Sequence, residues 1–164
     1  DRINLINELK KIRSFSRNKK NINKNDIIKL TNLSENYDIS ELIDNTLAKN
    51  NKKTFHILNE NNFGNEDALI IVRIFLSKLK RLIKLKTQIK EGDNLDKAIS
   101  NFKPPIFWKE KEIVKKQIQN TNNETIKKTI VNLNYIELLI KKHPIKSTNI
   151  ITNFLLEQVI SSNN

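Results

Sequence analysis

The sequence predicts an all-α fold. Apolar residues recur at helical spacing along almost the whole chain, strand-type alternation is absent, and only two glycines and three prolines punctuate the 164 residues. So few turn formers leave little scope for a many-stranded fold.

Taken in order, Ile3, Ile6, Leu9 and Ile12 mark a first amphipathic helix, which gives way to the polar stretch Arg17 to Lys24. Asn25 or Asp26 caps a short second helix through Ile27, Ile28 and Leu30. Thr31 to Asp38 is polar and turn-like, and a subdomain boundary is expected there. A third helix runs from Ser40 to Ala48 with Leu42, Ile43 and Leu47 inward. A fourth runs from Lys52 to Asn61 with Phe55, Ile57 and Leu58 as its buried set. Gly64 is expected to end it in a left-handed conformation.

Asn65-Glu66-Asp67 then starts a long helix, with acids at the positive end of its dipole. At 100° per residue, Leu69, Val72, Phe75, Leu76, Leu79, Leu82, Ile83, Leu85 and Ile89 spread over a broad apolar arc. Arg73, Lys80 and Lys84 share the remaining sector with Arg81 at its edge, and no acid interrupts Ala68 to Lys90. That stripe reads either as a solvated face or as a cationic binding surface. Gly92 closes the helix, Asp93 or Asn94 caps a short one carrying Leu95, Ala98 and Ile99, and Pro104-Pro105 breaks the chain. Ile113, Val114 and Ile118 define the next helix. Ile126, Ile130, Leu133, Ile136 and Ile140 define a long one, and Ile151, Phe154, Leu155 and Val159 the last. About nine helices are expected in all. No repeat of constant period continues past Gly92, so a solenoid is not expected.

The formal charge is +12, which favours a polyanionic partner, since Lys and Arg release counterions when they meet phosphates. Lys outnumbers Arg about five to one, and Asn, Ile and Lys make up nearly half the chain, the mark of an AT-rich coding sequence. Arg is the residue suited to bidentate base recognition, so the expected attraction is weak and sequence-independent. The absence of cysteine excludes disulfides, thiolate catalysis and Cys-based metal sites. No methionine occurs, even at position 1, which suggests a processed chain or an excised fragment. No run is apolar over the roughly 18 to 20 residues needed to span a bilayer, and a signal peptide ahead of the first helix is not expected.

Catalytic equipment is not found. His56 and His143 have no ligand set at metal spacing, and the acidic pairs Glu66-Asp67 and Glu110/Glu112 stand at helix starts, where they offset the dipole. Neither G-x-x-x-x-G-K-[ST] nor G-x-G-x-x-G occurs, and no cofactor or metal is expected. Lys103-Pro-Pro-Ile-Phe-Trp108 stands apart: two prolines stiffen the approach to Phe107 and Trp108, just before a helix bearing Lys109, Lys111, Lys115 and Lys116. Such rings either stack on unpaired bases, at about 1–3 kcal/mol each, or plug the end of the core.

The order of these features resembles a family. Asn7-Glu8-Leu9-Lys10-Lys11-Ile12, Asn25-Asp26-Ile27-Ile28, Ile39-Ser40-Glu41-Leu42-Ile43-Asp44, Leu58 with Phe63-Gly64, Leu76 through Lys86, Pro104-Pro105-Ile106-Phe107 and Glu137 to Lys141 follow one another as in the C-terminal part of the delta subunit of the bacterial DNA polymerase III clamp loader. The resemblance lies in order and spacing and covers nearly the whole chain.

It implies an AAA+-related subunit represented by the end of its helical lid, residues 1–35, and its helical-bundle collar, residues 36–164. The subunit would be non-catalytic and cytoplasmic, at the nucleoid-associated replisome. Its partners would be the other loader subunits in a hetero-oligomeric ring, the sliding clamp through a domain outside these residues, and primer–template DNA. The resemblance places Arg73, Lys80, Arg81, Lys84, Phe107 and Trp108 towards DNA, Phe107 being the closest positional match to a collar-turn aromatic. The last two helices carry more apolar positions than one core seam needs, and Ile136, Ile140, Phe154 and Leu155 are the expected subunit contacts. Two readings independent of the family remain: a stand-alone basic helical nucleic-acid-binding module, and a structural helical scaffold.

Overall fold

A computed structural model describes Ile6, Leu9, Lys10, Arg13, Ser14 and residues 37–160. Every regular element among these residues is helical. The chain divides into two compact units, Asp1–Ile39 and Ser40–Asn164. In the first, the five described positions before residue 37 are helical and exposed. The expected second helix, Asn25 to Leu30, lies outside the described residues.

From residue 37 onwards the elements are α1 (residues 37–47), α2 (Asn51–Glu60), α3 (Asp67–Lys90), α4 (Leu95–Asn101), α5 (Lys111–Asn120), α6 (Asn123–Lys142) and α7 (Ser147–Ile160). One-turn 3-10 segments, Trp108–Glu110 and Pro144–Lys146, precede α5 and α7. The last seven expected helices are therefore present. The first is described only in part, so the expected total of about nine is not reached among the described residues.

Local chemistry accounts for the boundaries. Asn50, Asn94 and Asn122 each cap the helix that follows, accepting from the backbone N–H three residues on. Two helices end in the same hydrogen-bond pattern. After α3, Gly92 N–H donates to the Ile89 carbonyl and Asp93 N–H to that of Gln88; after α1, Lys49 donates to Thr46 and Asn50 to Asn45. Both closures require a left-handed residue, Gly92 at φ 117° and Lys49 at φ 59°.

Gly64 departs from expectation. It is not left-handed, and its N–H donates to the Asp67 carboxylate at 2.7 Å while its carbonyl accepts from Asp67 N–H at 3.2 Å. It therefore belongs to the turn that leads into α3 instead of closing α2. The α2 face also differs from expectation: Thr54 and Ile57 are buried, Leu58 is half-buried and Phe55 is exposed.

Helix α3 is the hub, packed against α4, α5, α6 and α7. Its buried row comprises Ala68, Ile71, Val72, Phe75, Lys78, Leu79, Leu82 and Leu85. Phe75 meets Phe154 of α7 edge to face, with centroids 5.5 Å apart and planes at 70°, the geometry that sets a positive ring edge on a negative ring face. Helix α1 is tied to its surroundings by polar bonds as well: Asn120 Nδ2 donates to the Ala48 carbonyl, and Thr121 Oγ1 to that of Leu47. Asn65 Oδ1 accepts both Thr148 N–H and Thr148 Oγ1, holding the start of α7 beside the start of α3.

Candidate nucleic-acid interface

Where α3 passes the proline-containing turn after α4, a cleft of about 440 Å³ opens. Ser77, Lys78, Lys80, Arg81 and Lys84 of α3 line it together with residues 102–107 and Glu110. Phe102 leaves α4 in an extended conformation, the Lys103–Pro104 bond is cis, and buried Phe102 and Ile106 anchor the loop at both ends.

Anchoring by those two residues leaves Phe107 and Trp108 outside, 56% and 68% exposed. Neither ring plugs the core. Their centroids are 5.8 Å apart and tilted by 51°, and Lys109 Nζ lies 5.3 Å from the Trp108 ring, within cation–π range. Trp108 flanks the cleft without lining it.

Beneath the cleft is an ionic cluster that sequence reasoning missed. Lys78 Nζ donates to Asp44 Oδ2 at 2.6 Å, and both side chains are more than nine-tenths buried. Gln117 Nε2 donates to Asp44 Oδ1 at 2.9 Å and to the Asp44 carbonyl at 3.0 Å. Arg81 reaches both ways: Nη2 lies 3.6 Å from Asp44 Oδ1, and Nη1 donates to Glu110 Oε2 at 3.1 Å. The cluster joins α1, α3, α5 and the 3-10 turn that carries Trp108. A signal for it existed, since Lys78 falls in the row Ile71, Phe75, Leu82 and Leu85, where an unpaired ammonium ion is too costly to bury. Its partner, 34 residues upstream, gave no such sign.

The expected cationic residues divide accordingly. Lys80 and Lys84 line the cleft, and no carboxylate of the described residues pairs with them or with Lys103. Arg81 is largely spent on Asp44 and Glu110. Arg73 is exposed on α3 but belongs elsewhere, next to Glu137 of α6. The Glu137 carboxyl is held below the usual range first by the Lys141 hydrogen bond and, more weakly, by the charge of Arg73, against some desolvation. Two lysines serve as structural donors. Lys86 Nζ donates to the Ile118 carbonyl in the last turn of α5 at 2.7 Å, and Lys49 Nζ reaches the Gln158 carbonyl; burial pushes both pKa values down.

The expected subunit contacts require correction. Ile136, Ile140, Phe154 and Leu155 are all buried, because they face α3 and each other across the α3, α6 and α7 seam. The surplus apolar residues of α6 are Val131, Tyr135 and Leu138, and these are the exposed ones. The acidic residues also differ from a purely dipolar role: Glu110 binds Arg81, and Glu112 joins Asp96 in holding Lys115, whose pKa rises as a result. His56 has a carboxylate one turn on, with Nε2 3.2 Å from Glu60 Oε2, both groups exposed.

Among the described residues no group of three His, Asp or Glu side chains is placed to hold a metal ion, and no helix is long and apolar enough to cross a membrane. What the cleft offers is ammonium groups with no ion-pair partner among the described residues, an apolar wall and two adjacent rings, a combination suited to a phosphate backbone with its bases. No family model matches the chain, and no curated protein or solved structure is significantly similar to it.

Proposed function

We propose that this chain is a non-catalytic assembly module of a DNA polymerase III clamp loader, corresponding to the end of the lid and the collar of a delta-type subunit, and that its cleft meets primer–template DNA. The observation that carries the DNA half is the placement of Lys80, Lys84 and Lys103, without carboxylate partners among the described residues, around a cleft whose far wall ends in exposed Phe107. Contacts of this kind fall on phosphates and are sequence-independent. The assembly half rests on the order of sequence elements and on an all-helical unit centred on α3. Action within the replisome, partnership with the other loader subunits and a clamp contact through a separate domain belong to the same proposal.

Fluorescence anisotropy with a labelled primer–template oligonucleotide tests the cleft. In K80Q/K84Q/K103Q the slope of log K against log salt is expected to fall by roughly 2 to 3, at about 0.9 for each phosphate no longer neutralised. An unchanged slope removes the cleft from DNA binding. Co-elution with loader subunits, expected for wild type and this variant alike, tests the assembly half. The cleft with its flanking Trp108 also supports a stand-alone nucleic-acid-binding module; tight oligonucleotide binding without any loader partner selects that reading.

A further inference from the structure

Helix α6 is apolar on two opposite sides. Leu133, Ile136 and Ile140 face the core. Val131, Tyr135 and Leu138 follow one another at i, i+4 and i+7, within about 60° on the wheel and roughly opposite the core row. They are 70%, 60% and 56% exposed. Isolated exposed apolar residues are ordinary, but a continuous row on one helix is the form that recognises another helix.

The rim has a sign. Lys127 and Lys142 share the outward face and have no carboxylate partner among the described residues, while Lys128 has only the exposed Glu124, 2.8 Å away. Lys127, Lys128, Val131, Asn132 and Tyr135 together line a shallow open groove.

We infer that the outer face of α6 is a docking surface for an acidic amphipathic helix of a partner protein, Val131, Tyr135 and Leu138 taking its apolar anchors and Lys127, Lys128 and Lys142 its flanking carboxylates. Charge argues against a second copy, since a face-to-face pair brings two sets of these lysines together on chains of formal charge +12. The inference rests on the assembly half of the proposed function and names the surface that serves it.

The probe is a fluorescein-labelled model peptide, helical, with leucines at i, i+4 and i+7 and glutamates beside them, titrated into the 164-residue chain. A matched peptide with lysines replacing the glutamates is the control. The glutamate peptide is expected to bind at least tenfold more tightly than the lysine peptide. V131N/L138N is expected to weaken it at least tenfold, with the helical circular dichroism signal and oligonucleotide binding retained. Equal affinity for the two peptides, or no effect of V131N/L138N, overturns the inference. So does concentration-dependent self-association that V131N/L138N abolishes, which makes a second copy the occupant. If V131N/L138N co-elutes with loader subunits as well as wild type does, this surface assignment fails and the assembly reading stands. If wild type co-elutes with none of them, it is the assembly reading that fails.

Discussion

Lys78 and Lys80 are two residues apart on the same helix and have opposite fates. Lys78 is buried against Asp44 at 2.6 Å, with Gln117 and Arg81 completing the cluster. Lys80 is exposed on a cleft wall and forms no ion pair among the described residues. Two residues turn an α-helix by about 200°, enough to move a side chain from the core face to the solvent face. The formal charge of +12 counts both lysines equally, yet one is an internal fastening and the other is available to a partner. Composition measures attraction to polyanions only after the fastened charges are set aside.

The largest expected effect lies on the buried side. Asp44→Ala strands the Lys78 ammonium group and leaves the Gln117 amide only its bond to the residue-44 backbone carbonyl, and the loss of stability in chemical denaturation is expected to be about 3–5 kcal/mol. Lys78→Met is expected to cost less, because Asp44 retains its Gln117 hydrogen bond and the nearby Arg81. The double variant D44A/K78M should be more stable than the sum of the single losses predicts, since neither charge is then left alone. Simple additivity would mean that the pair is not coupled.

Arg81 stands between the two cases, and so should its variant. Arg81→Gln removes one cation near Asp44 and the hydrogen bond to Glu110, at an expected cost of about 1–3 kcal/mol. Glu110 belongs to the same 3-10 turn as Trp108, the sole tryptophan. Trp108 emission should therefore shift in folded R81Q while remaining unchanged in K80Q. An R81Q spectrum identical to wild type would show that the turn is held by Phe102 and Ile106 alone.

This intermediate case shows what is legible in the sequence and what is not. Helix positions follow from periodicity, a local property, so α1 to α7 fall close to their expected places. The inward side of α6 is harder to read because that helix carries two apolar rows at helical spacing. Ile136 and Ile140 look no more like core than Val131 and Leu138 do until α3 and α7 are in place. Lys78 and Arg81 depend on Asp44, which only the tertiary fold brings beside them. Gly64 misleads through its residue type: glycine is common after helices, but here the Asp67 carboxylate three residues on draws it into the start of the next one.

A smaller effect is expected at Lys49, a partly buried cation in a left-handed conformation. Replacement by glycine retains the closing hydrogen bonds of α1, because they are made by the backbone, and removes the side-chain clash of the left-handed region. A gain of about 1 kcal/mol is expected. There is also a pH signature. Burial lowers the Lys49 pKa in the folded chain, so between that value and the ordinary 10.5 the unfolded chain binds the extra proton and wild-type stability rises with pH. That contribution should be missing from K49G. Destabilisation would instead show that the hydrogen bond from Lys49 to the Gln158 carbonyl outweighs the backbone strain.

The smallest expected effect is on the exposed side, and it tests the contrast most directly. Lys80, Lys84 and Lys103 are solvent-exposed and have no carboxylate partners among the described residues, so K80Q/K84Q/K103Q loses neither a fold-stabilising ion pair nor a packed side chain. Glutamine is nearly as good a helix former as lysine, and removing like charges from a basic wall relieves a little repulsion. The denaturation midpoint should therefore correspond to a change within about 0.5 kcal/mol of wild type, and raising the salt concentration should narrow even that difference by screening. The same variant carries the expected loss of salt-dependent oligonucleotide binding. Reduced affinity with intact stability identifies these lysines as partner-facing; a stability loss approaching that of D44A would instead mean that they are bound into the fold as Lys78 is.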